Sequence, residues 1–149
     1  MSAPMTFILP NATAPANADW SDPLTAAVTE RDRDTLGMVE EAVRARRLRL
    51  AFQPVVPAGN PVTPVFYEGL ARILDPTGRT IPAADFIGAV ELHETGRLID
   101  ALALELGFRA LQANPTLRLS INMSARSIGY PRWMRALEMG LVADPSLAG

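Results

Sequence analysis

Cysteine is absent from the 149-residue sequence, which removes several kinds of chemistry at once. A chain without thiols forms no disulfide, holds no metal through thiolates and has no cysteine nucleophile. Long apolar runs are also absent, because none approaches the roughly 20 residues that a membrane-spanning helix needs. The first residues lack the basic and apolar regions of a secretory signal. We therefore expect a cytoplasmic protein without a membrane span.

An excess of charge of either sign is missing too, since the formal net charge is only −2. Such a chain has no overall attraction for a nucleic-acid polymer, so a nucleotide-like ligand must be held by local groups. The densest basic cluster comprises Arg44, Arg46, Arg47 and Arg49. Because no aromatic residues are interleaved with it, we interpret this cluster as a solvated helix end rather than a nucleic-acid patch.

Apolar residues are abundant, at 48% of the chain, so the sequence can fill a core of one domain or of part of a larger one. Residues 1–30 are the exception, being rich in Ala, Pro, Asn and Thr with few large apolar groups. We expect these residues to form a flexible lead-in, and residues 31–149 to form the folded part.

The periodicity of the remaining residues predicts strands and helices in an α/β arrangement. The predicted helices cover residues 31–47, 81–96, 97–114 and 132–142, and the predicted strands cover 48–56, 65–75 and 116–124. Pro54 should end the first strand or place it at a sheet edge. Gly96 should stop the second helix. After the first strand, we expect parallel pairing.

The second strand, "VFYEGLARILD", carries two charges in an otherwise apolar run. Strand alternation places Glu68 and Arg72 on the same face. At ~3.3 Å per residue they are about 13 Å apart along the strand, too far for a direct ion pair. A simple buried salt bridge therefore does not explain them.

The other strands add polar groups to what should be an interior face. The third strand offers Asn122 between Ser120 and Ser124, and the first strand offers Gln53. Buried polar groups are costly unless they are satisfied, and a shared ligand or a hard ion such as Mg²⁺ or Mn²⁺ would satisfy them together. The alternative is that the charges face solvent on a one-sided sheet and the asparagine only holds a turn.

Five short motifs occur in an order and spacing that resemble the EAL domain family, whose members hydrolyse the bacterial second messenger cyclic di-GMP. They are "FQPVV", "YEGLARI", "IPAADFI", "ETGRL" and "LSINMSARSI", between Leu48 and Ile128. The resemblance implies a modified TIM (β/α)8 barrel whose first strand is antiparallel to its neighbours. This chain would form the N-terminal part of that barrel.

The resemblance also implies roles for four residues. Glu68 and Asn122 would be catalytic ligands of divalent metal, and Gln53 and Arg72 would contact the bound dinucleotide. Two Mg²⁺ or Mn²⁺ ions would polarise the phosphodiester and generate a hydroxide for in-line attack, giving linear pGpG.

Two departures from the family limit these expectations. The family motif "EAL" is "EGL" here, and Gly69 should face away from Glu68. In addition, a TIM barrel takes ~250 residues, so the later catalytic carboxylates and lysine of the family are missing. We expect this chain alone to be inactive and to associate with a second copy or with the missing half of the barrel. The alternative is a degenerate module that binds cyclic di-GMP or a partner protein without catalysis.

Overall fold

A computed structural model of the protein describes residues 22–148. The helices are α1 (Pro23–Arg44), α2 (Ile87–Val90), α3 (Glu94–Ala113) and α4 (Pro131–Ala143), and the strands are β1 (Leu48–Val55), β2 (Phe66–Leu74), β3 (Thr80–Pro82) and β4 (Leu119–Ile121). Short 3₁₀ turns lie at Ala83–Asp85, Ala125–Ser127 and Pro145–Ala148. Across this stretch, every helix is too short or too polar to cross a membrane.

Helix α1 begins at Pro23, earlier than the predicted start at residue 31. A proline suits the first turn of a helix, and the side chain of Asp22 caps the end by accepting from the Leu24 N–H. Residues 23–30 of the predicted lead-in are therefore helical and exposed. Residues 1–21 of the predicted lead-in lie outside the described residues.

Strand β2 is the centre of a four-stranded sheet. β1 pairs with it in antiparallel register from Leu48↔Ile73 to Val55↔Phe66, and β4 pairs with it in parallel register through Glu68↔Ser120. β3 lies antiparallel beside the last residues of β2. The α/β class and the antiparallel first strand are confirmed. In the described part of the chain β1 pairs only with β2, so Pro54 lies in an edge strand, as predicted.

The core lies between the helices and one face of this sheet. Leu48, Ile73 and Ile81 from the strands are buried there, and Ile73 is 0% exposed. The helices and turns contribute Val39, Ala42, Val43, Phe86, Val90, Ile99 and Leu102 to the same cluster. We call this the covered face. The opposite face carries Glu68 and Leu70, both half-buried, and we call it the open face.

The single helix predicted over residues 81–96 is wrong. The chain forms β3, a 3₁₀ turn and the short α2, and α3 then begins at Glu94. Gly96 lies in the first turn of α3 instead of ending a helix. A Cβ atom on Gly96 would lie 2.8 Å from the carbonyl oxygen of Val90, so the glycine permits α3 to start close against the end of α2.

Candidate functional site

The open face brings a row of polar side chains together at the middle of β2. Gln53 of β1 is directly opposite Glu68, and Ser120 of β4 is opposite Glu68 on the other side. Directly paired residues project to the same side of a sheet. Three strands therefore present oxygen- or amide-bearing side chains at neighbouring positions.

Asn122 joins this row from the end of β4. The strand is shorter than predicted and ends at Ile121, so Asn122 is the first residue of the segment that follows. Its Nδ2 nevertheless donates to Glu68 Oε1 at 2.6 Å. The structure thus brings together two predicted site residues that are 54 positions apart in the chain.

Arg72 is half-buried on the same face but forms no ion pair with Glu68. Its Nη1 donates to the carbonyl oxygen of Ala71 at 3.0 Å. Within residues 22–148 no ion pair joins it to Glu68, as the strand spacing predicts. Its cross-strand neighbour on β1 is Arg49, which is exposed.

The Glu68–Asn122 pair fits part of a site for a hard divalent ion. A carboxylate and an amide oxygen are suitable ligands, and Mg²⁺ commonly uses one or two carboxylates together with water. The amide presents its NH₂ group to Glu68, and a half-turn about its last side-chain bond would present the oxygen instead. Among residues 22–148, no group of three or more His, Cys, Asp or Glu side chains is arranged to hold a metal.

Gly69 faces away from Glu68, as predicted, and lies on the covered face. It is buried, and a Cβ atom there would lie 2.6 Å from Ile121 Cδ1. Leu50 and Leu119 would be 3.5 Å away. The side chain of Ile121 therefore occupies the space that the methyl group of an alanine would need.

Asp100 is a polar residue near the site that sequence reasoning missed. It lies in α3, is only 9% exposed, and accepts hydrogen bonds from the Ser124 N–H and the Ser127 hydroxyl. Both donors belong to the segment that carries Asn122. The carboxylate of Asp100 in the largely apolar run "RLIDALALELGF", which also contains Glu105, was the available signal, of the same kind that drew attention to Glu68.

Of the arginines predicted to be a solvated helix end, Arg44 ends α1, Arg46 and Arg47 follow it, and Arg49 lies in β1 on the open face. Arg47 pairs with Glu41 at 2.8 Å, and Arg46 lies 3.6 Å from Glu105. A groove of about 700 Å³ opens nearby between α3 and α4. None of the four predicted site residues lines that groove, so it is separate from the open face.

Comparison with known proteins identifies the family. The model of the EAL domain family matches residues 37–148. No curated protein sequence matches the chain. The EAL domain of FimX from Pseudomonas aeruginosa, solved bound to c-di-GMP, is 26% identical with a TM-score of 0.61, and the match covers 74% of this chain and 45% of that one.

Two further structures agree on the fold. The FimX EAL domain of Xanthomonas citri, in complex with c-di-GMP, has a TM-score of 0.63 at 20% identity, over 79% of this chain and 47% of that one. The PaMucR phosphodiesterase, also a c-di-GMP complex, has a TM-score of 0.53 at 21% identity, over 74% and 46% of the two chains. The chain thus spans less than half the length of these relatives. Its unclosed sheet matches a part of their barrel.

Proposed function

The chain belongs to the EAL domain family, and we propose that its open face is the N-terminal part of the active site of a cyclic di-GMP phosphodiesterase. The observation that carries the proposal is the 2.6 Å contact between Asn122 and Glu68. It joins the glutamate of the family motif to the asparagine of a second motif, on a face that has no apolar cover among the described residues. The three relatives with bound c-di-GMP support the choice of ligand.

The four polar residues divide into two roles in this proposal. Glu68 and Asn122 are the oxygen ligands of Mg²⁺ or Mn²⁺, and the bound ion supplies Lewis-acid activation of the phosphodiester. Gln53, beside Glu68 on the neighbouring strand, offers an amide that pairs with a base or a phosphate oxygen. Arg72, farther along β2, offers a guanidinium that matches a phosphate group.

We propose that the 149-residue chain binds cyclic di-GMP weakly and does not hydrolyse it. Two ligands from the described residues cannot hold the two ions that the resemblance implies. The remaining ligands would come from the rest of an EAL barrel, of which this chain matches less than half.

The test is calorimetric titration of the chain with cyclic di-GMP in the presence of Mn²⁺. We expect binding that weakens at least about tenfold in Glu68→Gln, because that change removes the charge that holds the ion. Arg72→Gln should also weaken it, whereas Arg49→Gln should not. Arg49 is the matched control because it is the arginine directly opposite Arg72 on the same face. Equal loss in both arginine variants, or no binding by the wild type, would refute the proposal.

The second candidate is a module that binds cyclic di-GMP or a protein without catalysis. The "EGL" form of the family motif, with Gly69 in place of the alanine of "EAL", favours it. It predicts binding that is the same with Mn²⁺ and with EDTA, and no linear pGpG by chromatography when the rest of the barrel is supplied. Metal-dependent production of pGpG under those conditions would eliminate it.

We also propose that the open face is covered in solution by a second copy of the chain or by the rest of the barrel. Apolar side chains on that face favour this, because Phe66 and Leu70 are only half-buried. Sedimentation velocity of the chain should show a concentration-dependent dimer that Leu70→Ser weakens. A monomer at all concentrations would leave only the rest of the barrel as the cover.

A further inference from the structure

The segment between β4 and α4, residues 122–130, is held against α3 by a buried carboxylate. Asp100 Oδ2 accepts from the Ser124 N–H at 2.9 Å and from the Ser127 hydroxyl at 2.6 Å. Asp100 is 9% exposed and Ser127 is 0% exposed. We call this segment the β4–α4 loop.

Burial of a carboxylate at this place needs an explanation. No Lys, Arg or His lies within ion-pair distance of it among residues 22–148. Within the described residues, the hydrogen bonds from the Ser124 N–H and the Ser127 hydroxyl therefore offset the cost of burying the charge. A buried charge is costly without such donors, and an apolar side chain would fill the same space at a lower cost. The carboxylate and the loop conformation therefore depend on each other.

The β4 ladder alone is a weak support for Asn122. The strand has three residues, and Asn122 lies one position past its end. The next fixed point of the backbone is the Ser124 N–H, two positions farther on. Asn122 is thus held between the end of the strand on one side and the Asp100 hydrogen bond on the other.

We propose that Asp100 is a positioning residue that keeps the Asn122 amide within hydrogen-bond reach of Glu68. It does not touch the proposed ligand, and it acts through Ser124 and Ser127. The inference depends on the proposed function only for the identity of the ligand that the Glu68–Asn122 pair binds. The geometry of the pair can be tested whether or not the chain binds a metal or cyclic di-GMP.

A second contact between the same loop and the same helix supplies the control. The Tyr130 hydroxyl donates to Glu94 Oε1 at the exposed start of α3. Tyr130 is at the far end of the loop from Asn122 and forms no hydrogen bond with Asp100. Tyr130→Phe therefore removes one loop–helix hydrogen bond and leaves the Ser124 and Ser127 bonds in place.

The experiment is NMR on the 149-residue chain and its variants Asp100→Asn, Ser127→Ala and Tyr130→Phe. Two quantities are measured: hydrogen exchange of the Ser124 amide, and the chemical shifts of the Asn122 side-chain NH₂. In Asp100→Asn we expect Ser124 exchange to accelerate at least about tenfold, because a hydrogen bond to a charged group is replaced by a weaker one. The Asn122 NH₂ shifts should move toward those of a free amide.

Ser127→Ala keeps the proposal testable if Asp100→Asn does not fold, and it should change both quantities in the same direction. Tyr130→Phe should change Ser124 exchange less than about twofold, since it leaves the buried donors in place. Unchanged Asn122 shifts in both Asp100→Asn and Ser127→Ala, or equal changes in Tyr130→Phe, would overturn the proposal.

A titration of the same samples with Mn²⁺ separates this inference from the proposed function. If the wild type binds Mn²⁺ and broadens the Asn122 signals, the affinity should fall at least about fivefold in Asp100→Asn, as expected for a misplaced ligand. If the wild type shows no such broadening, the proposed metal site fails. The exchange rates and NH₂ shifts then decide the role of Asp100 on their own.

Discussion

The two faces of the sheet are built from the same strands but follow different rules. On the covered face, Ile73 and Leu48 are buried under helices, and Gly69 admits a close contact with Ile121. On the open face, Glu68 and Gln53 are polar and lie side by side with no apolar partner between them. Side chains of the covered face contribute to stability, whereas those of the open face form the proposed ligand site. Alternation along a single strand, β2, is enough to separate the two roles.

The largest effect should come from truncating one side chain on each face of β2. Ile73→Ala should lower the free energy of unfolding by about 2–5 kcal/mol, because it leaves a cavity in the closed core. Leu70→Ala, three residues away on the open face, should cost about 1 kcal/mol, since Leu70 is only half-buried. Urea unfolding followed by circular dichroism measures both. Equal losses would mean that the open face is covered in solution.

A smaller effect should follow from adding a methyl group to the covered face. Gly69→Ala should cost about 1 kcal/mol, because the new Cβ must displace Ile121 Cδ1 from 2.6 Å. The obstacle is the flexible end of a side chain, so the cost stays at the low end of overpacking. Ile121→Val removes that terminal methyl group.

The free energy of unfolding of the double variant Gly69→Ala/Ile121→Val should be about 0.5–1 kcal/mol higher than the value expected from adding the effects of the two single changes. Gly59→Ala is the matched control, because no atom lies within 4 Å of the added Cβ. Strict additivity in the cycle would show that Ile121 does not fill the space beside Gly69.

The open face should tolerate a charge change that would be damaging in the core. Glu68→Gln should alter the free energy of unfolding by no more than about 0.5 kcal/mol, since the side chain is half-exposed and Gln keeps an oxygen that accepts from Asn122. The same urea titration checks this against wild type. A loss as large as that of Ile73→Ala would identify Glu68 as a structural residue instead of a binding one.

The fold was predictable where it depends on local alternation. Strand alternation predicts that Glu68 and Arg72 share one face of β2 and that Gly69 and Ile73 share the other, and the structure keeps that arrangement with Gly69 and Ile73 buried. The break before α3 was not predictable, because it depends on how closely Gly96 approaches Val90 in space. The hydrogen bonds of Asp100 were not predictable for a similar reason, since its partners lie 24 and 27 positions later in the chain.

The site was less predictable from the residues than the fold. Strand spacing placed Glu68, Gln53 and Asn122 on polar faces but left a solvated one-sided sheet open as the alternative. The resemblance to the family implied a shared role for Glu68 and Asn122 as metal ligands, which spacing alone could not. An interstrand contact depends on the register between β2 and β4, which no local pattern specifies.

The smallest effect concerns the turn after β2, which belongs to neither face. The carboxylate of Asp75 accepts from the Thr77 hydroxyl at 2.6 Å and from the N–H groups of Thr77 and Arg79. These hydrogen bonds, led by that of the Thr77 hydroxyl, lower the pKa of Asp75 below its ordinary value. Thr77→Val removes the hydroxyl donor and keeps the backbone donors, so the pKa of Asp75 should rise partway back.

The sign of the pH dependence follows from that lowered pKa. A carboxyl group whose pKa is lower in the folded state than in the unfolded state stabilises the fold at pH values above the unfolded-state pKa, which is about 3.9 for aspartate. This stabilisation is lost as the pH falls through the folded-state pKa. Wild type should therefore lose more stability than Thr77→Val on acidification below about pH 4. An NMR titration of side-chain carboxyl carbons measures the pKa directly. Glu94, whose lowered pKa depends mainly on the Tyr130 hydroxyl, should be unchanged in Thr77→Val. A shift of both carboxyl groups would mean that the turn is coupled to the β4–α4 loop through the sheet.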